Sequence, residues 1–315
     1  MAQEPRAYHT PVLGPETADW VVTRPRGTYV DATVGGGGHA ELLLDRMDVE
    51  GRLIGVDRDP QAIRAASNRL SPFEIRVECV QGVFWDLRDI ISRAGVDRMA
   101  GIVFDLGPSS HQIDVSERGF SYQKDGPLDM RMGPDAQRSA AEVVNSYSQA
   151  ALTRIFKTFG EERAAARIAR SICHHRQRSA LERTSELAEL VAEQTRGRRV
   201  QKSLARVFQA VRIEVNQEAD RLDESLTDAI ALLEPEGRIG VLSYHSVEDR
   251  IVKASFRKAV RGCVCPPDLP ICACGHKKKL KILTARGIRV GADERAENPR
   301  SRSATLRVGE RLADS

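Results

Sequence analysis

The stretch YVDATVGGGGHA (residues 29–40) decides the fold, because an apolar run ends there in four consecutive glycines. The run predicts a buried strand, and the glycines predict a loop that lets the backbone approach a ligand. A second run, LIGVDRD (53–59), ends in carboxylates. Open parallel sheets bind ligands beyond the carboxyl ends of their strands, where an acid about twenty residues after the glycines binds both hydroxyls of a ribose. We therefore predict a nucleotide site that includes Asp57.

The glycine run leaves the class of cofactor open. Gly35, Gly37 and Ala40 also satisfy G-x-G-x-x-A, the fingerprint of enzymes that bind nicotinamide or flavin dinucleotides. A flexible glycine turn without any ligand is a further alternative. Residues further along the chain are needed to decide among these.

The composition indicates a globular protein. The chain has 315 residues, of which 41% are hydrophobic, so it can bury one large core or two modest ones. No stretch reaches the roughly twenty apolar residues of a membrane span, and MAQEPRAYHT (1–10) lacks the basic-then-apolar order of a signal peptide. We expect a cytoplasmic enzyme with no membrane segment.

The charge is unevenly distributed along the chain. The net charge is +4, from 48 Lys and Arg against 44 Asp and Glu. Residues 161–212 hold twelve basic against six acidic residues, and residues 253–289 hold ten against one. Such segregation favours a polyanionic partner, because Lys and Arg neutralise nucleic-acid phosphates. A solvated basic face is the alternative.

The first 110 residues predict a doubly wound α/β sheet, since four short apolar runs alternate with stretches of helical spacing. The predicted strands are 29–34, 53–56, 76–83 and 101–106. Residues 108–135 are rich in turn residues, and 139–213 have helical spacing without a convincing strand. A long helix over 207–233 and a strand over 238–244 then complete the sheet. We predict a nucleotide domain of residues 1–107 and 207–315, interrupted by an all-helical inserted domain of residues 108–206.

The fourth predicted strand ends in DLGPSS (105–110), a carboxylate followed by a tight turn. This motif favours methyl transfer over hydride transfer, since a carboxylate and a backbone carbonyl can hold the hydrogens of a nucleobase amine and turn its lone pair toward a sulfonium methyl group. Methylation at a ring carbon would need an activated cysteine, whereas Cys79 and Cys173 fall inside a strand and a helix. Asp105 has two alternative roles, as a cap of the turn or as a contact of the cofactor's amino group.

Two other residues near the predicted site have open interpretations. Phe84 follows the third strand, where it packs either against an adenine ring or in the core. His39, beside the glycines, is either a structural histidine or a contact of the cofactor's carboxylate.

Four cysteines form two C-x-C pairs in a basic segment, namely Cys263, Cys265, Cys272 and Cys274. Four thiols suggest a structural zinc site, but zinc sites usually space each pair by two to four residues. Disulfides are the alternative in an oxidising compartment, for which nothing else in the chain argues. We assign no metal ligand among the functional residues.

Taken together, the motifs resemble a bacterial family, the RsmH/MraW methyltransferases, which use S-adenosyl-L-methionine to methylate the N4 of a cytosine in 16S ribosomal RNA. The motifs span nearly the whole chain and are HTPVL (9–13), DATVGGGGHA (31–40), GVDRDPQAI (55–63), DLGPSS (105–110), RGFSY (118–122), DGPLDMRM (125–132), GEERAAARIAR (160–170), FQAVRIEVN (208–216), SYHSVEDRIVK (243–253) and ENPRSRSATLR (297–307). The four glycines at 35–38 and the cysteine segment depart from some members.

The resemblance implies a class I methyltransferase (Rossmann-like) sheet, interrupted by a helical domain, that acts on 16S ribosomal RNA in the small ribosomal subunit. No obligate protein partner is evident from the sequence. Asp105 would be catalytic. The residues that would bind S-adenosyl-L-methionine are Gly37, Gly38, His39, Asp57, Phe84, Asp105 and Gln112. Asp57 would hold the ribose and Phe84 the adenine. Asp105 and Gln112 would lie beside the methionine part.

Four residues of the HSVEDRIVK segment receive no individual role, namely His245, Glu248, Asp249 and Lys253. The segment is either a substrate-facing loop or a salt-bridged helix start with Ser246 as its cap. Three other functions remain alternatives: a DNA amino-methyltransferase, a nicotinamide-dependent oxidoreductase, and a noncatalytic RNA-binding assembly factor.

Overall fold

The computed structural model describes residues 11–195, 197–262, 274 and 277–313. By its internal contacts the chain divides into two compact units. The first unit is Met1–Gly107 with Arg221–Ser315, and the second is Pro108–Asp220. The prediction had assigned residues 207–220 to the first unit.

The first unit is built on one eight-stranded sheet. Its strands are β1 (Thr28–Asp31), β2 (Arg52–Asp57), β3 (Val77–Gln81), β4 (Met99–Asp105), β5 (Leu233–Ser243), β6 (Leu280–Ile282), β7 (Ile288–Arg289) and β8 (Thr305–Arg311). The order is β3-β2-β1-β4-β5-β8-β6, and β7 also pairs with β8. Strands β1 to β5 are parallel, whereas β8 runs antiparallel to β5, β6 and β7. The predicted doubly wound α/β sheet is confirmed.

Helices pack on both faces of this sheet, as the alternation of side chains along β4 shows. Ile102 and Phe104 belong to one buried apolar cluster, and Val103 belongs to a second cluster on the opposite face. The α-helices of the described residues are α1 (Gly14–Val21), α2 (Gly38–Leu44), α3 (Pro60–Leu70), α4 (Leu87–Arg93), α5 (Ser110–Asp114), α6 (Ala140–Ser146), α7 (Gln149–Thr158), α8 (Ala165–His175), α9 (Thr184–Glu193), α10 (Val200–Asn216), α11 (Glu218–Leu232), α12 (Ser246–Val260) and α13 (Ala292–Glu297). Because both faces are covered, the central strands β2 and β4 are apolar and buried along nearly their whole length.

The second unit contains α5 to α10, and no strand is assigned to its described residues. The prediction of one long helix over 207–233 is wrong, because α10 ends at Asn216 and α11 begins at Glu218. Between them Gln217 has a φ of +53°, which ends the first helix in the left-handed region. The buried Asn216 side chain also fixes this end, since its amide donates to the Met130 carbonyl and accepts from the Met132 N–H.

The C-terminal strands β6, β7 and β8 were not predicted. β6 and β7 have only three and two residues, and in the seven-residue β8 the apolar pattern is interrupted by Arg307 and Arg311, which are buried. Charged residues at buried positions do not indicate a strand from the sequence alone. The groups that pair with these arginines must be known first. Within the described residues, no helix combines the length and the apolar character that a membrane span requires.

Candidate active site

Three aspartates end three neighbouring strands of the parallel sheet. Asp57 ends β2, Asp31 ends β1 and Asp105 ends β4, and these strands lie in the order β2-β1-β4. The carboxyl edge of an open α/β sheet is where ligands bind. The structure therefore brings the predicted Asp57 and Asp105 to the same edge and adds Asp31 between them.

The glycine loop connects β1 to α2. Gly35 and Gly37 have φ values of +51° and +82°, in the left-handed region that favours glycine. A Cβ at Gly37 would come within 3.3 Å of the Ala66 Cα, so a side chain there would be crowded as well as strained. Gly38 starts α2, and a Cβ at this position would meet the Pro11 ring at 3.3 Å. A larger residue at either glycine would therefore require its neighbours to shift by a few tenths of an ångström.

The Asp57 carboxylate is fixed by the backbone. Its Oδ2 accepts a hydrogen bond from the Gly35 N–H and its Oδ1 accepts one from the Asp59 N–H, each at 2.9 Å. Burial raises the pKa of Asp57 to about 6, although these two N–H groups act in the opposite direction. A carboxylate offers about four acceptor positions, so Asp57 can accept two further hydrogen bonds from a ligand.

His39 is buried in α2, and both of its ring nitrogens face protein groups. Nε2 lies 3.0 Å from the Val12 carbonyl oxygen, which can only accept, so Nε2 carries a proton. Nδ1 lies 3.5 Å from Asp105 Oδ2. The predicted contact of His39 with a cofactor stays a prediction, whereas its contact with Asp105 was not predicted.

Two hydrogen bonds hold Asp105: the Tyr244 hydroxyl donates to Oδ1 at 2.7 Å, and the Asp105 N–H donates to Thr33 Oγ1 at 2.7 Å. The His39 ring lies near Oδ2, with Nδ1 at 3.5 Å. Burial and the neighbouring Asp105 raise the pKa of Tyr244 well above its ordinary value, so the hydroxyl stays protonated and donates. The Asp105 side chain is still 27% exposed, which leaves it accessible to an incoming group.

Asp31 is the residue of this edge that sequence reasoning did not select. It is 1% exposed, and its Oδ1 accepts from the Thr33 N–H at 3.2 Å. Its Oδ2 is buried and has no hydrogen-bond partner in the described part of the chain. Burial raises the pKa of Asp31 to about 7, with His39 acting in the opposite direction and Asp105 in the same one. Buried polar atoms are normally paired, so this oxygen indicates a place for a donor from outside the protein.

Phe84 begins a short 3-10 helix, Phe84–Asp86, after β3. Its ring packs edge-on against Phe104 at 6.0 Å and against Trp85 at 5.2 Å between centroids. The Arg58 guanidinium lies 5.1 Å from the centroid of the Trp85 ring. Phe84 therefore packs against the core, as one of its two interpretations predicted, and its contact with adenine stays a prediction.

Gln112 lies in the second unit and is buried. Its Oε1 accepts from the Ser109 N–H at 3.0 Å, and its own N–H donates to Ser109 Oγ at 3.2 Å. This capping box starts α5 directly after the DLGPSS turn. Its predicted role in cofactor binding is not tested by these contacts.

HSVEDR begins α12 as a capped helix start. His245 is the N-cap, and its Nδ1 accepts from the Glu248 N–H at 3.3 Å. The Glu248 carboxylate reaches back to the Tyr244 N–H at 2.8 Å. The alternative with Ser246 as the cap is therefore wrong by one residue, because the His245 ring supplies the acceptor.

Asp249 joins this helix start to β8. It pairs with Arg307 at 2.7 Å and with Lys253 at 2.9 Å. Although burial acts in the opposite direction, these two cations keep the pKa of Asp249 below its ordinary value. The salt-bridged interpretation of the segment thus has a structural basis.

The zinc hypothesis concerns residues that are mostly outside the described part of the chain. Cys263, Cys265 and Cys272 lie there, and only Cys274 is described. Among the described residues no group of three or more His, Cys, Asp or Glu is arranged to hold a metal ion.

Comparisons with known proteins agree with the motifs. A family model described as the MraW methylase family matches residues 6–312. A ribosomal RNA small subunit methyltransferase H from Trichlorobacter lovleyi is 46% identical over 308 residues, which cover 97% of this chain and 98% of the relative. A protein of the same name from Carboxydothermus hydrogenoformans is 45% identical over 307 residues, with coverage of 97% and 98%.

Among solved structures, an rRNA methylase from Streptococcus thermophilus aligns with 98% of this chain and 99% of its own, at 10% identity and a TM-score of 0.43. The family resemblance inferred from the motifs is confirmed, and so is the class I methyltransferase fold that it implied. The oxidoreductase alternative has no further support. The chain belongs to the MraW methylase family.

Proposed function

We propose that this protein transfers a methyl group from S-adenosyl-L-methionine to the exocyclic N4 of a cytosine in the 16S ribosomal RNA of the small ribosomal subunit. The names of its relatives and of its family support the reaction class. The observation that carries the proposal is the Asp105 carboxylate. It ends β4 at the ligand-binding edge of the sheet, is oriented by Tyr244, and is still partly exposed.

The sheet edge fits this cofactor at two anionic positions. Asp57 has acceptor positions for both ribose hydroxyls. The unpartnered Oδ2 of Asp31 suits the ammonium group of the methionine part, since a cation compensates a buried carboxylate. Gly37 and Gly38 allow the backbone to approach the cofactor between these two carboxylates.

Three further residues keep the binding roles that the family resemblance implied. Phe84 would lie at the adenine, and His39 and Gln112 at the methionine part. His39 would act partly through Asp105, because its Nδ1 faces that carboxylate.

The cofactor supplies an electrophilic methyl group: the amine lone pair forms the N–C bond while the C–S bond breaks, and the electron pair leaves with sulfur as a thioether. An exocyclic amine is a poor nucleophile because its lone pair is delocalised into the ring. Asp105 accepts a hydrogen bond from one N–H of the amine, and a backbone carbonyl of the DLGPSS turn accepts a hydrogen bond from the other. This orients the lone pair, and Asp105 then takes the released proton and passes it to water.

The proposed transfer uses no cysteine nucleophile, since methylation at nitrogen needs no covalent intermediate. Cys79 lies within β3, where burial raises the pKa of its thiol. Cys173 lies within α8. Neither of these two described cysteines has the setting of an activated nucleophile, which agrees with a direct transfer from sulfur to nitrogen.

The second unit carries a basic face that suits the RNA backbone. Along α8 and its two ends, five exposed residues follow one another at intervals of three or four positions: Arg163, Arg167, Arg170, His174 and Arg178. The opposite face of the helix is buried and apolar. Within the described residues none of these arginines has a carboxylate within ion-pair distance. Unpaired cations along one helix face fit a row of phosphates better than they fit a protein core.

The target cytosine must leave its stack to reach a carboxylate at the edge of a sheet. A folded segment of ribosomal RNA, or an assembled small subunit, is therefore the substrate, and the protein acts in the cytoplasm where these particles lie. Residues 253–289, part of which lie outside the described chain, supply the second basic segment.

The decisive experiment supplies the purified protein with S-adenosyl-L-methionine that carries a labelled methyl group. Small subunits from cells lacking the protein are the acceptor, and duplex DNA is offered in parallel. The proposal expects label in the subunits, recovered as N4-methylcytidine after nuclease digestion and mass spectrometry. Label on another base, label in DNA alone, or no label in either acceptor would overturn it. The last outcome would favour the noncatalytic assembly factor.

The basic face of α8 is tested by a double variant, Arg167→Gln with Arg170→Gln. The matched control is Arg88→Gln with Arg221→Gln, which removes the same charge from exposed arginines that already have carboxylate partners. Binding to small-subunit RNA should weaken in the first variant, and its dependence on salt should fall by about two units of slope. Equal salt dependence in both variants would contradict a role of this face.

A further inference from the structure

Tyr244 lies beside Asp105 at the edge of the sheet, but it belongs to a different motif and follows a different strand. It follows β5, the neighbour of β4, and its hydroxyl reaches Asp105 Oδ1 at 2.7 Å across 139 positions of sequence. A Cβ at Gly107 would lie 3.7 Å from the Tyr244 ring, so the ring packs beside the DLGPSS turn. The Tyr244 N–H is itself fixed by Glu248. The backbone and the ring of Tyr244 are therefore both fixed, and together they hold the hydroxyl in place.

We propose that Tyr244 is a positioning residue for methyl transfer, whose hydroxyl holds the Asp105 carboxylate ionised and turned toward the incoming amine. This rests on the proposed function, because it assigns Tyr244 a task only if Asp105 receives the amine. In this role the Tyr244 side chain need not touch the substrate.

The surroundings explain why Asp105 needs such a donor. Asp31 of β1 is a second carboxylate close enough to influence Asp105, and Glu248 of α12 and Glu294 of α13 add negative charge around Tyr244. His39 of α2 faces the other oxygen at 3.5 Å, which is long for a hydrogen bond. A neutral hydroxyl that donates at 2.7 Å favours the ionised carboxylate without adding charge.

The same hydrogen bond selects an orientation. With Oδ1 occupied by the Tyr244 hydroxyl, Asp105 accepts the amine through its remaining acceptor positions. A protonated Asp105 would offer a donor to an amine that needs an acceptor, so loss of the Tyr244 hydroxyl should act most strongly at low pH. Because burial keeps the pKa of Tyr244 far above its ordinary value, the tyrosine does not compete as a base.

The chain provides a matched control in its second unit. The Tyr147 hydroxyl donates to Glu214 Oε1 at 2.8 Å, and this pair is also partly buried. Tyr147→Phe therefore removes a tyrosine–carboxylate hydrogen bond of nearly the same length from the other unit. Tyr244→Phe keeps the ring that packs beside the turn and removes only the hydroxyl.

The experiment measures single-turnover methylation of small subunits across a pH series, with saturating S-adenosyl-L-methionine. In Tyr244→Phe, the acid limb of the rate profile should move upward by about one pH unit, and the rate at neutral pH should fall about three- to tenfold. The cofactor Kd should stay within about twofold of the parent value. The Tyr147→Phe profile should superimpose on that of the parent.

Carbon-13 NMR of carboxyl-labelled aspartate gives a readout that does not depend on turnover. The Asp105 signal, assigned by its loss in Asp105→Asn, should titrate at higher pH in Tyr244→Phe than in the parent. An unchanged titration would overturn the inference, as would a rate that falls equally at every pH together with a lowered Tm. Absence of methylation by the parent protein would instead refute the proposed function, and the NMR titration would still decide whether Tyr244 controls Asp105.

Discussion

Asp57 and Asp105 end strands of the same sheet, yet they are held in different ways. Both oxygens of Asp57 accept hydrogen bonds from backbone N–H groups, which come from the glycine loop and from Asp59. The Asp105 carboxylate is instead oriented by a side chain, the Tyr244 hydroxyl, which donates to one oxygen, while the His39 ring lies 3.5 Å from the other. A carboxylate fixed by backbone keeps its place when side chains change. One fixed by side chains depends on the identity of each partner.

This difference matches the two tasks that we propose. Binding of the ribose requires only a stable pair of acceptors, which a loop backbone supplies. Orientation of an amine for reaction requires an acceptor whose ionisation and direction are controlled, and side chains with their own hydrogen bonds control both. Substitutions at the two aspartates should therefore separate binding from turnover.

Asp105→Asn should have the largest effect. The amide keeps the shape of the carboxylate but replaces one acceptor by a donor, and with the Tyr244 hydroxyl bound to the oxygen, the NH₂ group would face the N–H of the substrate. We expect kcat for methylation of small subunits to fall by about a hundredfold or more. Single-turnover assays at saturating S-adenosyl-L-methionine measure this loss.

The control for Asp105→Asn is its thermal unfolding, which should stay near the parent value, and the cofactor Kd is measured so that saturation is ensured in both proteins. A variant that retains a third or more of the parent rate would show that Asp105 does not orient the amine. The proposed difference in function between Asp57 and Asp105 would then have no support.

Asp57→Asn should act on binding instead. The asparagine retains one acceptor oxygen, which the backbone N–H groups compete for, so a ribose hydroxyl loses its partner. We expect the Kd of S-adenosyl-L-methionine to rise about ten- to a hundredfold, while kcat at saturating cofactor changes less than about threefold. Calorimetric titration gives the first value and single-turnover kinetics the second. A drop in kcat with unchanged Kd would reverse the assignment of the two aspartates.

The pH dependence of cofactor affinity sharpens the same comparison. The pKa of Asp57 is raised to about 6, so its ionised form, which accepts from the ribose, is depleted as the pH falls through that value. Cofactor affinity of the parent should therefore decline below pH 6. In Asp57→Asn the decline in cofactor affinity that is due to this carboxylate should be absent. If the affinity of the variant declines as much as that of the parent, another group is responsible for the titration.

The sequence predicted the parts of the fold and site that depend on local pattern. The parallel strands β2 and β4 have continuous apolar runs, and Asp57 ends β2 at the spacing of a ribose-binding acid. Strands β6 to β8 were missed because buried arginines interrupt β8. These arginines are compensated by partners distant in sequence, Asp249 for Arg307 and the carbonyls that end α11 for Arg311.

The same limit applies within the site. Asp105 was found because a strand end and a glycine turn are adjacent in sequence, whereas Tyr244 and His39 approach it only through the pairing of β4 with β5 and the packing of α2. The break at Gln217 was missed because helical spacing continues through it, and only the position of Asn216 against the loop at Met130 reveals why the helix ends.

Asp31 lies between the two compared aspartates and should show the smallest effect, in the free energy of unfolding. Because burial raises the pKa of Asp31 to about 7, the folded protein binds a proton that the unfolded chain releases near pH 4. Stability contributed at this position is therefore highest at low pH and declines as the pH rises toward 7.

Asp31→Asn removes the ionisation while its oxygen can still accept from the Thr33 N–H. The variant should be more stable than the parent by about 1–4 kcal/mol at pH 8, where the upper value corresponds to the full shift of about three pKa units, and nearly equal to it at pH 4. Urea unfolding at both pH values measures the difference, and a variant less stable than the parent at pH 8 would contradict it. If Asp31 holds the cofactor's ammonium group, the same variant should also bind S-adenosyl-L-methionine more weakly. The ionised Asp31 carboxylate would then lower the stability of the free protein while it strengthens binding of the cofactor.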